Sequence, residues 1–382
     1  MRPVFFFALL MIPGLACGPA DLDLGVQPVS GQEHDIINGE VCGRDRMETA
    51  VAILIDAEIE FFGTRSRIRQ PMCTGTLIAP DTVLAAAHCF QTDLLTMGMG
   101  TVLSEQFGMT FEPDLTALAE DQQGTTPWPD DHIDAVLWLP HPEFDIDSMN
   151  NVTGPGEFKD VGIMFLAEAV PGIRPEVLIT ANEASQIAQN TSVEIAGWGQ
   201  QTVTSGWETP PPGTVGAKRC ATSFINEVGI AEMQIGGDSS SSRKCHGDSG
   251  GPTYMEVSTS HDVKRRLVGI TSHAYDDSDC QKGGVDTRVD TWLGWIDERM
   301  RAACQDGTRA WCDEPGILLP SRYDVVRPDA GSGGGDDDDA GTSGQHFIEG
   351  CPCHATTPPS AGISALWGLT LLALVWRRWG RP

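Results

Sequence analysis

Short apolar runs separated by turn-forming residues dominate the chain from Ile36 to about Ala303. Glycine, proline, asparagine and aspartate stand between the runs, and these residues favour tight turns. Many short strands at such spacing are typical of an antiparallel β-barrel or β-sandwich. Four of the predicted strands are Ala50–Ile55, Val161–Leu166, Val193–Ala196 and Leu267–Thr271.

The end of this region has a different periodicity. In Trp292–Met300, apolar residues recur at helical spacing, and basic residues stand near the end of the segment. We therefore expect a helix to close the region of strands.

Two further apolar runs lie at the ends of the chain, outside the strand-rich region. At the N-terminus, Arg2 precedes the run Val4–Ile12, which is too short to span a membrane and predicts a secretory signal peptide over residues 1–17. Cys17 is also a candidate lipidation site of a bacterial lipoprotein. Ordinary signal cleavage near this cysteine is the alternative, and both alternatives imply export.

The C-terminal part divides into three segments. Residues 304–327 extend the strand-rich region, and residues 328–350 have the composition of a flexible acidic linker. Residues 351–382 combine a Cys-Pro-Cys motif, the apolar run Ala361–Trp376 and terminal arginines, which would stay on the cytoplasmic side. This tail resembles bacterial C-terminal sorting tails of the MYXO-CTERM kind. We therefore expect a secreted or envelope protein, attached through its termini to a bacterial membrane at the outer membrane or surface. Later removal of the tail at Cys351 or Cys353 is the alternative to its retention.

Composition narrows the class of partner. The formal net charge is −28, which favours solubility and argues against nucleic acid. The 11 cysteines are unusual for a reducing compartment and indicate disulfide bonds in an oxidising one. Their spacing lacks the ligand pairs typical of structural metal sites, so neither a metal nor a cofactor is expected.

The strongest chemical signal is the segment Lys244–Pro252, which contains the sequence Gly-Asp-Ser-Gly-Gly. The glycines allow the backbone to turn sharply around Ser249 and to direct two N–H groups at one point, where an oxyanion could form. A serine hydroxyl is a weak nucleophile by itself, so a base and an orienting acid must lie elsewhere in the chain.

Candidates for the base and the acid both precede the serine. His88 follows the apolar, strand-like run Thr76–Ala87, and Asp160 stands at the start of another apolar run. The interval between them is interpreted as a surface-loop insertion. It contains Asp145 and Asp147, which are rival candidates for the acid, although neither opens an apolar strand.

With these segments in the order His, Asp, Ser, the chain resembles the trypsin/chymotrypsin family of serine endopeptidases. The resemblance covers residues 36–303 and implies an all-β fold of two antiparallel six-stranded β-barrels, with the active site in the cleft between them and a C-terminal helix. It implies hydrolysis of protein or peptide substrates, in which Ser249 attacks the carbonyl carbon and His88 takes the hydroxyl proton. Asp160 would orient the imidazole, and the N–H groups of Gly247 and Ser249 would form the oxyanion hole.

The same resemblance implies that the chain is made as a zymogen. Residues 18–35 would be the propeptide, and cleavage before Ile36 would release a new α-amino group that pairs with Asp248. A buried carboxylate needs a positive partner, and only cleavage supplies this one. The alternative interpretation of the sequence around Ile36 is simply the start of a strand after a turn.

The resemblance implies three disulfide bonds, which are Cys42–Cys220, Cys73–Cys89 and Cys245–Cys280. Cys304 and Cys312 remain, and we expect them to form a local pair beyond the helix.

The resemblance also implies which residues bind the substrate. Ser272 would belong to the strand that binds the substrate backbone and would border Asp160. The chain departs from the family next to it, with His273 in place of tryptophan and Ala274 in place of glycine, so the form of the pocket entrance stays open. Gly284 would line the specificity pocket, and Arg243 would lie at the pocket floor. Trypsin-like enzymes that cleave after lysine or arginine carry an aspartate at that last position, so a cation there favours an acidic substrate side chain.

Other interpretations of the pocket remain open. Lys244 and His246 are expected to add positive charge. If Arg243 turns to solvent, however, the pocket would be apolar or broad in its preference. Asp238 could also substitute for the missing aspartate and give a preference for basic side chains.

Two other functions are compatible with parts of the pattern. One is a catalytically silent protease homologue that binds a partner through its cleft, although no member of the triad is missing. The other is an esterase with the same three residues, which would leave the arrangement of Ile36 and Asp248 unexplained.

Overall fold

A computed structural model describes residues 36–96, 99–121, 123–149, 152–201, 211–259, 262–276 and 280–323. The predicted signal peptide with Cys17, the propeptide, the acidic linker and the sorting tail lie outside the described residues.

The described residues form thirteen β-strands, numbered in chain order. They are β1 (Glu40–Val41), β2 (Ala50–Phe61), β3 (Thr64–Ala79), β4 (Thr82–Ala85), β5 (Thr101–Thr110), β6 (Ile133–Pro140), β7 (Gly162–Leu166), β8 (Ser192–Gly197), β9 (Arg219–Val228), β10 (Glu232–Ile235), β11 (Pro252–Ser258), β12 (Val263–Ala274) and β13 (Gly284–Arg288).

Helices are short except near the end of the described part. The α-helices are α1 (Asp93–Thr96), α2 (Thr116–Ala119), α3 (Leu293–Gln305) and α4 (Pro320–Tyr323). Short 3₁₀-helices cover Ala87–Phe90, Ile146–Met149, Ala184–Gln186 and Val289–Thr291. Within the described ranges, every helix is too short or too polar to cross a membrane.

The strands form two antiparallel barrels. The first is closed in the order β2-β3-β4-β7-β6-β5. The second runs β9-β10-β13-β12-β11-β8 and is closed by pairing of β8 with β9, while the two-residue strand β1 adds to its edge at β9. This confirms the predicted fold of two six-stranded barrels followed by a C-terminal helix.

Strand β2 shows why the predicted strands were too short. The run Ala50–Ile55 is fully buried, but the strand continues to Phe61 with alternating burial. Its outward carboxylates at Asp56, Glu58 and Glu60 lie opposite arginines of β3 in the antiparallel register. Cross-strand pairs of opposite charge stabilise a strand without an apolar run, so the apolar run marks only the first half of β2.

Two predictions about the first barrel were wrong in detail. The run Thr76–Ala87 is divided by a turn at Pro80 and Asp81, so that it forms the end of β3 and the strand β4. The interval between His88 and Asp160 is more than a surface insertion, because it supplies β5 and β6 to the barrel. Strands with partly exposed, polar faces are easily mistaken for loops in a sequence.

The segment after helix α3 folds back onto the first barrel. The guanidinium of Arg309 contacts the carboxylate of Asp81, with Nη2 2.7 Å from Oδ1 and both side chains fully buried. The backbone N–H of Trp311 donates to Asp81 Oδ2 at 2.7 Å. We call residues 306–323, together with the disulfide that ties them to Cys304 at the end of α3, the C-terminal clasp, and the sequence pattern did not predict its contact with Asp81.

Candidate active site

The 3₁₀-helix Ala87–Phe90 positions the predicted base. It follows directly on β4, and the small residues Ala85, Ala86 and Ala87 are fully buried. His88 is the polar side chain of this turn, and its imidazole is 16% exposed. The buried alanines therefore fix the backbone while the imidazole reaches the surface.

Asp160 is fully buried directly before β7 and is bonded to this histidine twice. Its Oδ1 accepts from the His88 backbone N–H at 3.0 Å, and its Oδ2 lies 2.8 Å from His88 Nδ1. The Ser272 hydroxyl donates to the same Oδ2 at 2.6 Å. Burial alone would raise the pKa of Asp160, but the charge of His88 and these hydrogen bonds hold it below its usual value.

This contact defines the imidazole tautomer. A carboxylate only accepts, so Nδ1 of His88 carries the proton and Nε2 is left as the acceptor. The rival candidates Asp145 and Asp147, at the 3₁₀-helix Ile146–Met149, are exposed side chains. Asp160, in contrast, is fully buried against the imidazole.

The serine loop depends on two glycines. Gly247 has φ +90° and Gly250 has φ +77°, a backbone region that side chains disfavour. A Cβ on Gly247 would come within 2.8 Å of the Gly199 Cα, so the space also excludes a side chain. Ser249 is half-buried between them, and its carbonyl accepts from the Thr74 N–H at 2.8 Å.

The serine loop also contacts the turn that carries the base. The Sγ atom of Cys89 lies 3.7 Å from the Ser249 carbonyl oxygen. Cys89 is the residue after His88, and its disulfide to Cys73 joins the turn to β3. The three candidate catalytic residues thus come from neighbouring parts of the structure.

Asp248 is a fully buried carboxylate, and within the described ranges no cationic side chain forms an ion pair with it. Its Oδ1 accepts from the Gly199 N–H and its Oδ2 from the Cys245 N–H, both at 2.9 Å. Burial raises the pKa of Asp248 to about 6. Ile36 is 1% exposed. The next residue, Ile37, pairs with the segment that leads to the serine, because its carbonyl accepts from the Arg243 N–H at 3.0 Å.

Four disulfides are present among the described residues, and their pairings are those stated above. They are Cys42–Cys220, Cys73–Cys89, Cys245–Cys280 and Cys304–Cys312. Two groupings of these cysteines with His88 and with His246 have metal-ligand proximity. Disulfide sulfurs are not thiolates, so neither grouping has the donors of a metal site.

The proposed substrate wall lies on two paired strands. Ala274 of β12 is opposite Gly284 of β13 in the antiparallel register. A Cβ added to Gly284 would find its nearest neighbour, the Lys244 Cβ, at 3.6 Å. The glycine therefore leaves space beside the segment that precedes the serine, and Ser272 connects the same wall to Asp160.

Arg243 does not turn to solvent. It is 3% exposed, and its guanidinium donates to three backbone carbonyls. Nε donates to Cys280 O at 2.5 Å, and Nη1 donates to Ser239 O at 3.0 Å and to Ser241 O at 3.1 Å. Burial lowers the pKa of Arg243.

The expectation that Lys244 and His246 add positive charge was wrong. Lys244 is fully buried, and its Nζ lies 2.9 Å from Asp286 Oδ2, which neutralises it. Burial lowers the pKa of His246 to about 4, so this imidazole is neutral at pH 7. Asp286 is a fully buried carboxylate of β13, and a carboxylate within a buried strand was the missed signal for a buried cationic partner.

A second pair near the triad also went unpredicted. His273, next to Ser272, has Nε2 3.3 Å from Oε2 of the fully buried Glu232 and Nδ1 2.7 Å from the Ala274 carbonyl oxygen. Burial alone would lower the pKa of His273, but the contacts with Glu232 and Ala274 raise it. His273 is visible in the sequence, but nothing there links it to Glu232, because Glu232 lies on a separate strand, β10.

Comparison with known proteins gives a consistent result. The family model described as Trypsin matches residues 56–127 and 129–296. The chain is 25% identical to the vitellin-degrading protease of Bombyx mori over 244 residues, which are 60% of this chain and 76% of that protein. It is 28% identical to melanization protease 1 of Drosophila melanogaster, over 60% of this chain and 58% of that protein. Human kallikrein-4 is 25% identical over 72% of this chain and 91% of its own length.

Proposed function

The chain belongs to the trypsin family of serine endopeptidases, and on this premise we propose that it is an exported zymogen whose triad is Ser249, His88 and Asp160. Once activated, it hydrolyses peptide bonds in protein or peptide substrates. The single observation that carries the proposal is the hydrogen bonding of Asp160, which accepts from His88 at both oxygens and from Ser272.

The tautomer of His88 determines the order of proton transfers. Because Nδ1 is held by Asp160, Nε2 takes the proton of the Ser249 hydroxyl as this oxygen attacks the substrate carbonyl. The imidazolium that forms is stabilised by the buried carboxylate. It then returns the proton to the leaving amine, and water hydrolyses the acyl-enzyme by the same steps in reverse.

The backbone N–H groups of Gly247 and Ser249 are the proposed oxyanion hole. The positive φ of Gly247 supports this role, because it turns the peptide plane in a way that a side chain would oppose. Each such donor contributes roughly 10²–10³ in rate.

Cleavage before Ile36 is the proposed activation step. Asp248 is buried with neutral N–H donors on both oxygens, so an α-ammonium group from Ile36 would offset its desolvation. Asp248 precedes Ser249, and a fixed Asp248 holds the loop that carries the oxyanion hole.

The four disulfides support an oxidising, extracytoplasmic location. Attachment to the bacterial envelope is proposed from the sequence of the two termini.

The test compares the full chain with its Ser249→Ala and Asp160→Asn variants. We expect the wild-type chain, once cut before Ile36, to hydrolyse peptides and to be labelled at Ser249 by a fluorophosphonate. Asp160→Asn should lower kcat by about 10⁴, because the wrong tautomer of His88 becomes favoured. N-terminal sequencing and intact mass verify the cut. A cut, folded wild-type chain that neither hydrolyses peptides nor takes the label would instead be a catalytically silent binding protein.

A further inference from the structure

A buried pair of His273 and Glu232 lies directly behind Ser272. His273 is the residue after Ser272 on β12, and Glu232 opens the strand β10. Glu232 is fully buried, and its Oε2 lies 3.3 Å from His273 Nε2. Neither side chain has a part in the proton transfers of the triad, so the pair needs a separate explanation.

The imidazole of His273 contacts acceptors at both ring nitrogens. Nε2 faces the Glu232 carboxylate, and Nδ1 lies 2.7 Å from the Ala274 carbonyl oxygen. A neutral imidazole carries one N–H and can donate to only one of these acceptors, whereas an imidazolium donates to both. The geometry therefore matches the charged form of His273.

Two anionic groups act on His273 from different elements. Glu232 on β10 and Asp160 before β7 favour the imidazolium and raise the pKa of His273 against the effect of burial. Two further neighbours are uncharged. They are Val285, the partner of His273 on β13, and Phe158, whose ring meets the imidazole edge to face with centroids 5.6 Å apart. Loss of the His273 proton would leave a buried carboxylate without its cation, which is unfavourable.

The pair touches both supports of Asp160. On one side, the Ser272 hydroxyl that donates to Asp160 Oδ2 belongs to the residue before His273. On the other side, the chain segment that leads to Asp160 is bonded to Glu232, whose Oε2 accepts from the Gly156 N–H at 2.6 Å. One ion pair thus joins β12 to the segment that precedes the orienting acid.

Glu232 depends on these contacts. Its Oε1 is buried and, within the described ranges, has no hydrogen-bond partner. Its cross-strand neighbour on β13, Thr287, donates instead to the Asp160 carbonyl at 3.0 Å. A displacement of Glu232 would therefore disturb the surroundings of Asp160 from this side as well.

We propose that His273, as an imidazolium bonded to Glu232, is a positioning residue that keeps Asp160 in place. It acts through Ser272 on one side and through the segment that contains Gly156 on the other. Asp160 in turn orients the imidazole of the triad, so the inference rests on the proposed function. The gain from His273 is present while its imidazole is protonated and is lost as the pH rises and the proton leaves.

The experiment uses the full chain, activated at an enteropeptidase site in place of residues 31–35. The second-order rate constant for labelling of Ser249 by a fluorophosphonate is measured between pH 6 and pH 10. This reagent reports the reactivity of the serine without a peptide side chain. At pH 7, His273→Gln should lower the rate about 10- to 100-fold, the effect of a misplaced catalytic group. The ratio of wild type to variant should fall towards one as the pH rises, because only the wild type loses a proton from His273.

A second variant and a control accompany this comparison. Glu232→Gln keeps the shape of the side chain and removes its charge. Its labelling rate should begin to fall at a lower pH than that of the wild type, because the anion that holds the His273 proton is gone. Tyr275→Phe is the control, since it removes an exposed hydrogen bond of 3.1 Å to Glu227 two residues further along the chain. It should be labelled at the wild-type rate at every pH.

The outcomes separate positioning from other roles. A ratio of wild type to His273→Gln that does not change with pH overturns the inference, because a purely structural role gives a constant loss. A variant that is labelled at the wild-type rate but hydrolyses casein more slowly also overturns it and assigns His273 to substrate contact. If His273→Gln does not fold, the pH profile of Glu232→Gln decides. An activated wild-type chain that takes no label overturns the proposed function itself.

Discussion

At the scale of single residues, the site contains two buried carboxylates with opposite electrostatic environments. Asp160 is surrounded by donors and by the His88 imidazole, and its pKa is held low. Asp248 has only two backbone donors, and its pKa is raised. The first is therefore kept ionised by its surroundings, whereas both oxygens of the second accept from neutral backbone N–H groups, which is the environment that the proposed activation step would complete.

This difference predicts a pH dependence of stability in the uncut chain. Burial raises the folded-state pKa of Asp248 to about 6, above its unfolded value. The folded state then binds more protons than the unfolded state between these two values, so this residue's contribution to stability is present at low pH and is lost as pH rises through about 6. In a Ser249→Ala background, we expect Asp248→Asn to gain about 3 kcal/mol of unfolding free energy relative to the parent between pH 4 and pH 7.

Urea unfolding of both proteins at several pH values measures this difference. The shared Ser249→Ala background prevents self-cleavage and cancels the titration of all other groups. A difference that stays constant over this range would show that Asp248 already has a counter-charge in the uncut chain.

Single residues also show the limit of prediction from sequence. His88, Asp160 and Ser249 stand in recognisable segments, and the structure gives their surroundings without changing the choice. Lys244 was misjudged because its charge in the fold depends on Asp286, which lies 42 residues further along the chain. A sequence shows which residues are charged, but it does not show which charges cancel.

At the scale of elements, the C-terminal clasp is the addition that the strand pattern did not contain. Its Arg309 and Asp81 are both fully buried and are 228 residues apart in the chain. Asp81 lies within the run Thr76–Ala87, which was predicted as strand-like throughout, so neither its turn nor its partner Arg309 was predicted. The strands themselves were predictable where they are apolar, as in β7, and were shortened where charged residues alternate, as in β2.

Breaking this pair should be strongly destabilising. Arg309→Met leaves the Asp81 carboxylate buried without its cation, and such a loss costs about 3–5 kcal/mol. Arg65→Met is the matched control, because Arg65 is 65% exposed and its contacts with Glu58 and Glu60 should contribute less than about 1 kcal/mol. Urea unfolding in the Ser249→Ala background measures both. Equal losses in the two variants would contradict a structural role for the clasp.

At the scale of the whole molecule, the two barrels and helix α3 account for the region that resembles the family. The net charge of −28 belongs to the complete chain and includes the four consecutive aspartates from Asp336 to Asp339, outside the described residues. The segments beyond the barrels were interpreted by composition and motif alone. The motifs in these segments bear on where the protein is located in the cell, and cell fractionation tests that location.

Deletion of residues 351–382 tests the proposed attachment. We expect the full chain to sediment with bacterial membranes and the deletion variant to move to the soluble or secreted fraction, because the apolar run and its flanking arginines are gone. Immunoblots of the fractions measure the distribution, and Cys17→Ser with the tail intact separates the contribution of the N-terminus. A deletion variant that still sediments as fully as the wild type, while Cys17→Ser is released, would assign attachment to the N-terminus instead.

The C-terminal clasp has a mechanical consequence if the protein is tethered by its tail. Tension applied beyond Tyr323 first reaches the Ile317 N–H, which donates to Asp297 Oδ1, and the Pro315 carbonyl, which accepts from Arg309. The Cys304–Cys312 bond closes the next stretch covalently, so the loop that carries Arg309 cannot be peeled away residue by residue. A pulling force at the C-terminus therefore enters helix α3 at Asp297 and at Cys304, while the loop between the two cysteines stays bound to Asp81 of the first barrel.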